Sequence, residues 1–138
     1  MDLNKKDIHI YFDMDGTVNH WDLNGNPHEE HYFRYREPFK NVLNAIKMLQ
    51  KNNYNVSFAT AVYMEGNADK IIWLNNNDMK SIPVIFIPYG SCKNDYLEKG
   101  DIKILIDDYT PNLIEFEKSG GIAIKMINRN NHKKGIWN

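Results

Sequence analysis

Short runs of apolar and β-branched residues recur along the chain, and polar or turn-forming residues bound each of them. Near-continuous apolar runs of this length are typical of parallel strands that are buried on both faces of a sheet. The pattern therefore predicts five strands, at Ile8–Phe12, Asn55–Ala59, Pro83–Ile87, Ile102–Ile106 and Gly121–Met126.

Segments with apolar residues at helical spacing alternate with these strands. The predicted helices cover Pro38–Lys51, Glu65–Asn76, Lys93–Lys99 and Pro111–Lys118. Thr110 is expected to cap the last of them. Alternation of strand and helix favours an α/β three-layer sandwich around a mainly parallel five-stranded sheet, and we expect a single domain over residues 1–138.

Residues 17–37 follow neither pattern, and such a long loop in a small domain is more often functional than idle. Its aromatic residues Trp21, Tyr32, Phe33 and Tyr35 are candidates for stacking on a nucleobase, or else for core packing. Tyr63 and Met64, just past Thr60, are similar candidates. The loop also holds His20, His28 and His31, but their spacing differs from that of helical zinc sites and no cysteine accompanies them.

Composition narrows the function classes. The 138 residues include 17 basic and 18 acidic ones, a net charge of -1, so no overall electrostatic attraction favours nucleic acid or an anionic membrane. Cys92 is the only cysteine, which excludes an internal disulfide and fits a reducing compartment. The basic run Arg129, His132, Lys133 and Lys134 is interpreted as a solvated tail. Without a signal-peptide pattern or a membrane-length apolar stretch, we expect a soluble cytoplasmic protein with no membrane partner.

Polar residues that can carry chemistry gather at the predicted strand ends. They are Asp13 and Asp15 after the first strand, Thr60 after the second, Lys93 after the third, and Asp107 and Asp108 after the fourth. Ligands of parallel α/β sheets bind at the carboxyl ends of the strands, so these six side chains are expected to converge on one crevice.

Phosphoryl transfer is the chemistry that uses such a set. Clustered carboxylates repel one another unless a cation neutralises them, and Mg²⁺ prefers oxygen ligands. A carboxylate nucleophile divides a difficult hydrolysis into two easier steps, and a second carboxylic acid can protonate the leaving oxygen. A metal and a lysine offset charge on the phosphoryl oxygens.

The segment Phe12–Val18, which reads FDMDGTV, resembles the DxDGT signature of the haloacid-dehalogenase superfamily of phosphohydrolases. Thr60, Lys93 and the pair Asp107–Asp108 resemble its second, third and fourth motifs, in the same order and over the whole chain. The resemblance implies a phosphatase that needs Mg²⁺.

The resemblance also implies a role for each matching residue. Asp13 would be the nucleophile and Asp15 the general acid and base, while Thr60 and Lys93 would hold the phosphate. The Mg²⁺ ligands would be Asp13, the backbone carbonyl of Asp15, and Asp107, with Asp108 in support.

Within that superfamily the chain looks most like the 5′(3′)-deoxyribonucleotidase group, through Ile106–Leu113 and the tail Asn128–Trp137. This implies a phosphomonoesterase that acts on small esters, namely (deoxy)nucleoside monophosphates. Typical members carry a helical cap after the first motif, whereas only residues 17–37 occupy that place here. A site this open suggests a large substrate or a second subunit, so a homodimer is an expectation.

Three alternatives stay open. The substrate can be a sugar phosphate or a nucleic-acid 3′-phosphate end, although the balanced charge argues against nucleic acid. The chain can be a binding protein without catalysis. It can also be a phosphoaccepting module of the receiver type, but receivers are phosphorylated on an aspartate after the third strand, and here Ile87-Pro88-Tyr89 ends that strand.

Overall fold

Five strands and three α-helices alternate in the computed structural model, which describes residues 4–21, 24–62 and 66–131. In chain order they are β1 Ile8–Phe12, α1 Lys40–Lys51, β2 Asn55–Val62, α2 Asn67–Asn76, β3 Val84–Pro88, β4 Ile102–Asp107, α3 Thr110–Lys118 and β5 Ile122–Lys125. Short 3-10 turns at Lys5–Asp7 and Lys93–Tyr96 precede β1 and β4. Tyr63, Met64 and the basic residues from His132 onward, considered above, lie outside the described residues.

The five strands form one sheet in the order β3-β2-β1-β4-β5, and every neighbouring pair is parallel. The predicted α/β sandwich is therefore confirmed. The chain builds outward from β1 to β3 and then crosses back to place β4 on the other side of β1. This reversal puts a topological switch point between β1 and β4, the position at which sheets of this kind bind ligands.

Helices cover both faces of the sheet, and the alternation of side chains along β1 shows how. Phe12 belongs to a core with Ile46 of α1 and Trp73 of α2. Tyr11, which points to the opposite face, packs in a second core with Phe116 of α3. The two cores give the three layers that the sequence predicted.

Some element boundaries differ from the predicted ones. β2 continues to Val62 because its last residues pair with β3, so Thr60 lies inside the strand. Thr110 does not cap α3 but is its first residue, and its hydroxyl accepts a hydrogen bond from Lys125. The predicted helix after Cys92 is reduced to the 3-10 turn Lys93–Tyr96.

Residues between β1 and α1 run through turns, with Asn19 bridged to both Asp15 and Pro38. The second of these bridges holds Pro38 in extended backbone, and α1 begins at Lys40, two residues later than predicted. Among the described residues, none of the helices has both the length and the apolar character that crossing a membrane requires.

Packing of α1 on the sheet predicts unequal effects for two isoleucines. Ile46 of α1 is 0% exposed, whereas Ile114 of α3 is 49% exposed. Replacing Ile46 with Ala should lower the free energy of unfolding by about 2–5 kcal/mol, because it leaves a cavity in the core. The matched Ile114→Ala change should cost about 1 kcal/mol or less. Urea unfolding of both variants checks this, and equal losses would contradict the described packing.

Candidate active site

Three carboxylates from two neighbouring strands meet at the switch point. The backbone N–H of Asp13 donates to the carbonyl of Ile106 at 2.9 Å, which extends the β1–β4 contact beyond the end of β1. Asp13, Asp107 and Asp108 each present an oxygen, and these oxygens lie within 4.8 Å of one another. Three oxygens at this separation could serve as ligands of a hard cation.

Lys93 enters this group from the 3-10 turn after β3. Its Nζ donates to Asp13 Oδ1 at 2.7 Å, to Asp107 Oδ2 at 2.9 Å and to the carbonyl of Ala59 at 2.9 Å. Burial alone lowers the pKa of Lys93, but the charges of Asp13 and Asp107 outweigh it and raise the pKa above its ordinary value. The ammonium group is therefore charged at any physiological pH.

One ammonium group does not neutralise three carboxylates. Burial, followed by the neighbouring charge of Asp107, raises the pKa of Asp13 to about 6. Burial, together with the charges of Asp13 and Asp107, raises the pKa of Asp108 to about 9. The group thus requires either protons or further positive charge, and its oxygen donors fit Mg²⁺.

Local structure fixes the orientation of Asp107. Its Oδ1 accepts a hydrogen bond from the backbone N–H of Tyr109 at 3.0 Å, and its Oδ2 accepts one from Asn112 Nδ2 at 3.1 Å. Both donors belong to the entry into α3, which begins immediately after β4. The first turn of α3 therefore holds this carboxylate in place.

The turn after β1 must approach Asp108 closely. Gly16 has φ +88°, and a Cβ there would lie 2.0 Å from Asp108 Oδ2. Asn128 bridges the same place, because its Nδ2 donates to the carbonyl of Gly16 at 2.7 Å and to Asp108 Oδ2 at 3.1 Å. The glycine of the DxDGT-like segment thus lets the ends of β1 and β4 come together.

The other two predicted residues meet around a second buried lysine. Lys70 of α2 donates from Nζ to Asp15 Oδ2 and to Thr60 Oγ1, both at 2.7 Å, and to the carbonyl of Ala61 at 3.1 Å. The side chain of Lys70 is 1% exposed. Asn19 Nδ2 donates to the remaining oxygen of Asp15 at 3.3 Å.

The extra length of β2 explains why both lysines bind the same strand. Backbone groups of Phe58 and Val62 hydrogen-bond on the β3 side, so those of Ala59 and Ala61 face the β1 side. β1 ends at Phe12, the partner of Phe58, and no longer pairs with β2 there. The two carbonyls accept hydrogen bonds from Lys93 and Lys70 instead.

The structure therefore brings all six predicted residues to one edge, divided into two groups. Asp13, Lys93, Asp107 and Asp108 form the first, and Asp15 and Thr60 form the second around Lys70. Within the described part of the chain, the group with metal-ligand geometry includes no side chain of Asp15. The sequence reading missed Lys70. Its helical spacing to the buried residues Trp73 and Leu74 was the available signal.

Most loop aromatics belong to the core. Tyr32 and Phe33 are buried and contact each other and Trp21, which argues against base stacking at these positions, whereas Tyr35 is 71% exposed. Phe33 also lies under Lys70, whose Nζ is 4.5 Å from the ring centroid.

Two of the three loop histidines, His20 and His31, pair with acids. His20 contacts Glu37 at 3.7 Å, and His31 lies between Glu30 at 3.2 Å and Asp69 at 3.4 Å. Over residues 4–21, 24–62 and 66–131, the three-carboxylate group at the switch point is the one cluster with metal-ligand geometry.

Comparison with known proteins adds no relative: no protein-family model matches the chain, and a search of curated proteins finds no match. The interpretation of the site therefore rests on its residues and their arrangement.

The raised pKa values predict how stability varies with pH. Asp108 ionises at about 9 in the folded protein but near its ordinary 3.8 in the unfolded chain, so the folded state holds the proton more tightly. Between these two pKa values the free energy of unfolding should fall as the pH rises, and it should be greatest near the lower one. Urea unfolding in a chelator at several pH values measures this. Asp108→Asn should flatten the dependence, and an unchanged slope in that variant would contradict the assignment.

Addition of Mg²⁺ should offset the repulsion among the carboxylates of Asp13, Asp107 and Asp108. Because the ion binds the folded site, it should raise the thermal midpoint, with a gain in free energy of about 2.7 kcal/mol at 100 times its Kd. Asp107→Asn should remove most of this gain, and replacement of the exposed Asp101 should not. Differential scanning fluorimetry at constant ionic strength provides the measurement. Equal Mg²⁺ responses in the two variants would place the ion elsewhere.

Proposed function

We propose that the chain is a Mg²⁺-dependent phosphomonoesterase of the haloacid-dehalogenase type, which forms an aspartyl-phosphate on Asp13. The observation that carries the proposal is the pairing of buried carboxylates with two buried lysines at the switch point of a parallel sheet. Carboxylates in excess of their cations repel one another, and a bound Mg²⁺ would offset that repulsion and attract the oxygens of a phosphoryl group.

The residues present fit Mg²⁺. Asp13, Asp107 and Asp108 would hold it through carboxylate oxygens. When bound, the ion supplies positive charge that favours the ionised form of these acids and stabilises negative charge on the phosphoryl group. Lys93 lies beside two of these acids and adds a fixed positive charge at the same place.

In the first half of the reaction, a carboxylate oxygen of Asp13 attacks the phosphorus, and the bond from phosphorus to the ester oxygen breaks. Asp15 donates a proton to that departing oxygen, so the product leaves as an alcohol. Thr60 and Lys93 bind the phosphoryl oxygens and orient the group for attack.

In the second half, Asp15 removes a proton from a water molecule, whose oxygen attacks the same phosphorus. The bond from phosphorus to Asp13 breaks, which releases inorganic phosphate and restores both carboxyl groups. The buried position of Asp13, which is 7% exposed, limits access for water to the side from which substrate enters.

Nucleoside monophosphates are the substrate class that we propose, on the resemblance to the deoxyribonucleotidase group. Tyr35, on the loop between β1 and α1, is exposed and is the candidate for contact with such a substrate. A receiver-type module is disfavoured, because the residues that end and follow β3, Pro88-Tyr89-Gly90, offer no carboxylate for phosphorylation.

Replacement of the nucleophile tests the proposal. In a phosphate-release screen with Mg²⁺, the unaltered protein should hydrolyse deoxynucleoside monophosphates in preference to sugar phosphates and 3′-phosphorylated oligonucleotides. Asp13→Asn should lower kcat by at least about 10³-fold while the protein remains folded. Asp101→Asn, a change at an exposed carboxylate, is the control and should leave turnover intact. Mg²⁺-dependent hydrolysis by the Asp13 variant at the normal rate would exclude the proposed nucleophile.

A further inference from the structure

Lys70 is a buried charge whose contacts need an explanation. Removing an ammonium group from water costs several kcal/mol, so a buried lysine is retained only with good compensation. All three of its protons have acceptors: the carboxylate of Asp15, the hydroxyl of Thr60 and the carbonyl of Ala61. Its only charged partner among the described residues is Asp15.

Two donors hold Asp15 from opposite sides. Lys70 binds Oδ2 at 2.7 Å, and Asn19 binds Oδ1 at 3.3 Å. Asn19 is itself held, because its backbone carbonyl accepts the N–H of Gly16 at 2.9 Å. With one donor on each oxygen, the plane of the carboxylate is fixed relative to the end of β1.

The loop that stands between β1 and α1 covers this arrangement. The ring of Phe33 lies 4.5 Å below Lys70 Nζ, a distance at which an aromatic face attracts a cation. The ring also lies against Gly66, the N-cap of α2, where an added Cβ would lie 2.9 Å from it. Phe33 therefore separates the lysine from solvent and limits the positions it can adopt.

The two lysines divide the site between them. Lys93 contacts Asp13 and Asp107, the side on which the nucleophile lies, and Lys70 contacts Asp15 and Thr60. We propose that Lys70 is a positioning residue that holds Asp15 in the orientation for proton transfer to the leaving oxygen, with Phe33 keeping it there. This inference rests on the proposed function, because it needs Asp15 to act as the acid.

Dependence on the leaving group tests this role. An aryl ester such as 4-nitrophenyl phosphate needs little proton assistance, whereas an alkyl ester such as deoxythymidine monophosphate needs much. General acid catalysis contributes about 10²–10⁴-fold, so Lys70→Met should lower kcat on the alkyl ester by about 10²-fold and on the aryl ester by less than about 10-fold. Phe33→Leu should produce a smaller loss with the same selectivity. Lys47→Met, at a half-exposed lysine of α1, is the control and should change neither rate.

Two other measurements separate positioning from phosphate binding and from folding. If Lys70 bound the phosphate, both esters would lose rate equally and inhibition by inorganic phosphate would weaken, and either result would overturn the proposal. If Lys70 acts through Asp15, adding Lys70→Met to Asp15→Asn should cause no further loss on the alkyl ester, whereas an additive loss would overturn it. The double variant removes the charges of both Lys70 and Asp15, so neither is left buried without its partner. It therefore tests the proposal even where Lys70→Met alone does not fold.

Failure of the proposed function would look different. In that case the unaltered protein would hydrolyse neither ester in the presence of Mg²⁺, and no variant would be compared. An unaltered protein that is active on both esters, with Lys70→Met equally impaired on each, would retain the proposed function and exclude the positioning role.

Discussion

Negative charge in excess of positive charge, buried at one edge of the sheet, is the constraint on which the site depends. Asp13, Asp107 and Asp108 share one ammonium group, that of Lys93, whereas Asp15 pairs with Lys70. Each lysine makes three hydrogen bonds, so neither is a mobile counterion. Burial, together with the charges of neighbouring aspartates, raises the pKa values of Asp13 and Asp108, so an added cation would stabilise the group.

Unequal strand lengths allow that charge to be buried. β2 continues past the end of β1, which exposes the carbonyls of Ala59 and Ala61 on the side where β1 would have paired. Backbone acceptors in this position must be satisfied, and the ammonium groups of Lys93 and Lys70 satisfy them. The same hydrogen bonds anchor the two cations beside the carboxylates, so sheet geometry and site electrostatics have one origin.

Residues 17–37 also take part in this arrangement. Phe33 lies against both Lys70 and the start of α2, and Trp73 Nε1 donates to the carbonyl of Arg36 at 2.6 Å. The loop is thereby packed onto α2, the helix that carries Lys70. Residues 17–37 thus support the part of the site that holds Lys70 and Asp15.

Much of the fold followed from the sequence alone. Apolar runs and helical spacing predicted five strands, three of the helices and the α/β class. Strands that are buried on both faces of a parallel sheet need a continuous apolar run, which is visible in the local sequence. The rule that ligands bind at the carboxyl ends of strands also predicted that Asp13 and Asp107 would meet. The predicted end of β2 was wrong, because pairing with β3 decides where this strand ends.

The division of the site was decided by tertiary structure. Lys70 is separated from Asp15 by 55 residues. Its helical spacing to Trp73 and Leu74 indicates a buried face of α2, but it does not indicate which carboxylate the lysine contacts. Its burial depends on the length of β2, on the packing of α2 and on the ring of Phe33, three features that meet only in the folded chain. The sequence determined which residues lie at the ends of β1 and β4, because hydrophobic periodicity is local. The folded structure decided which lysine faces which carboxylate, because hydrogen bonds between distant segments depend on strand order and register.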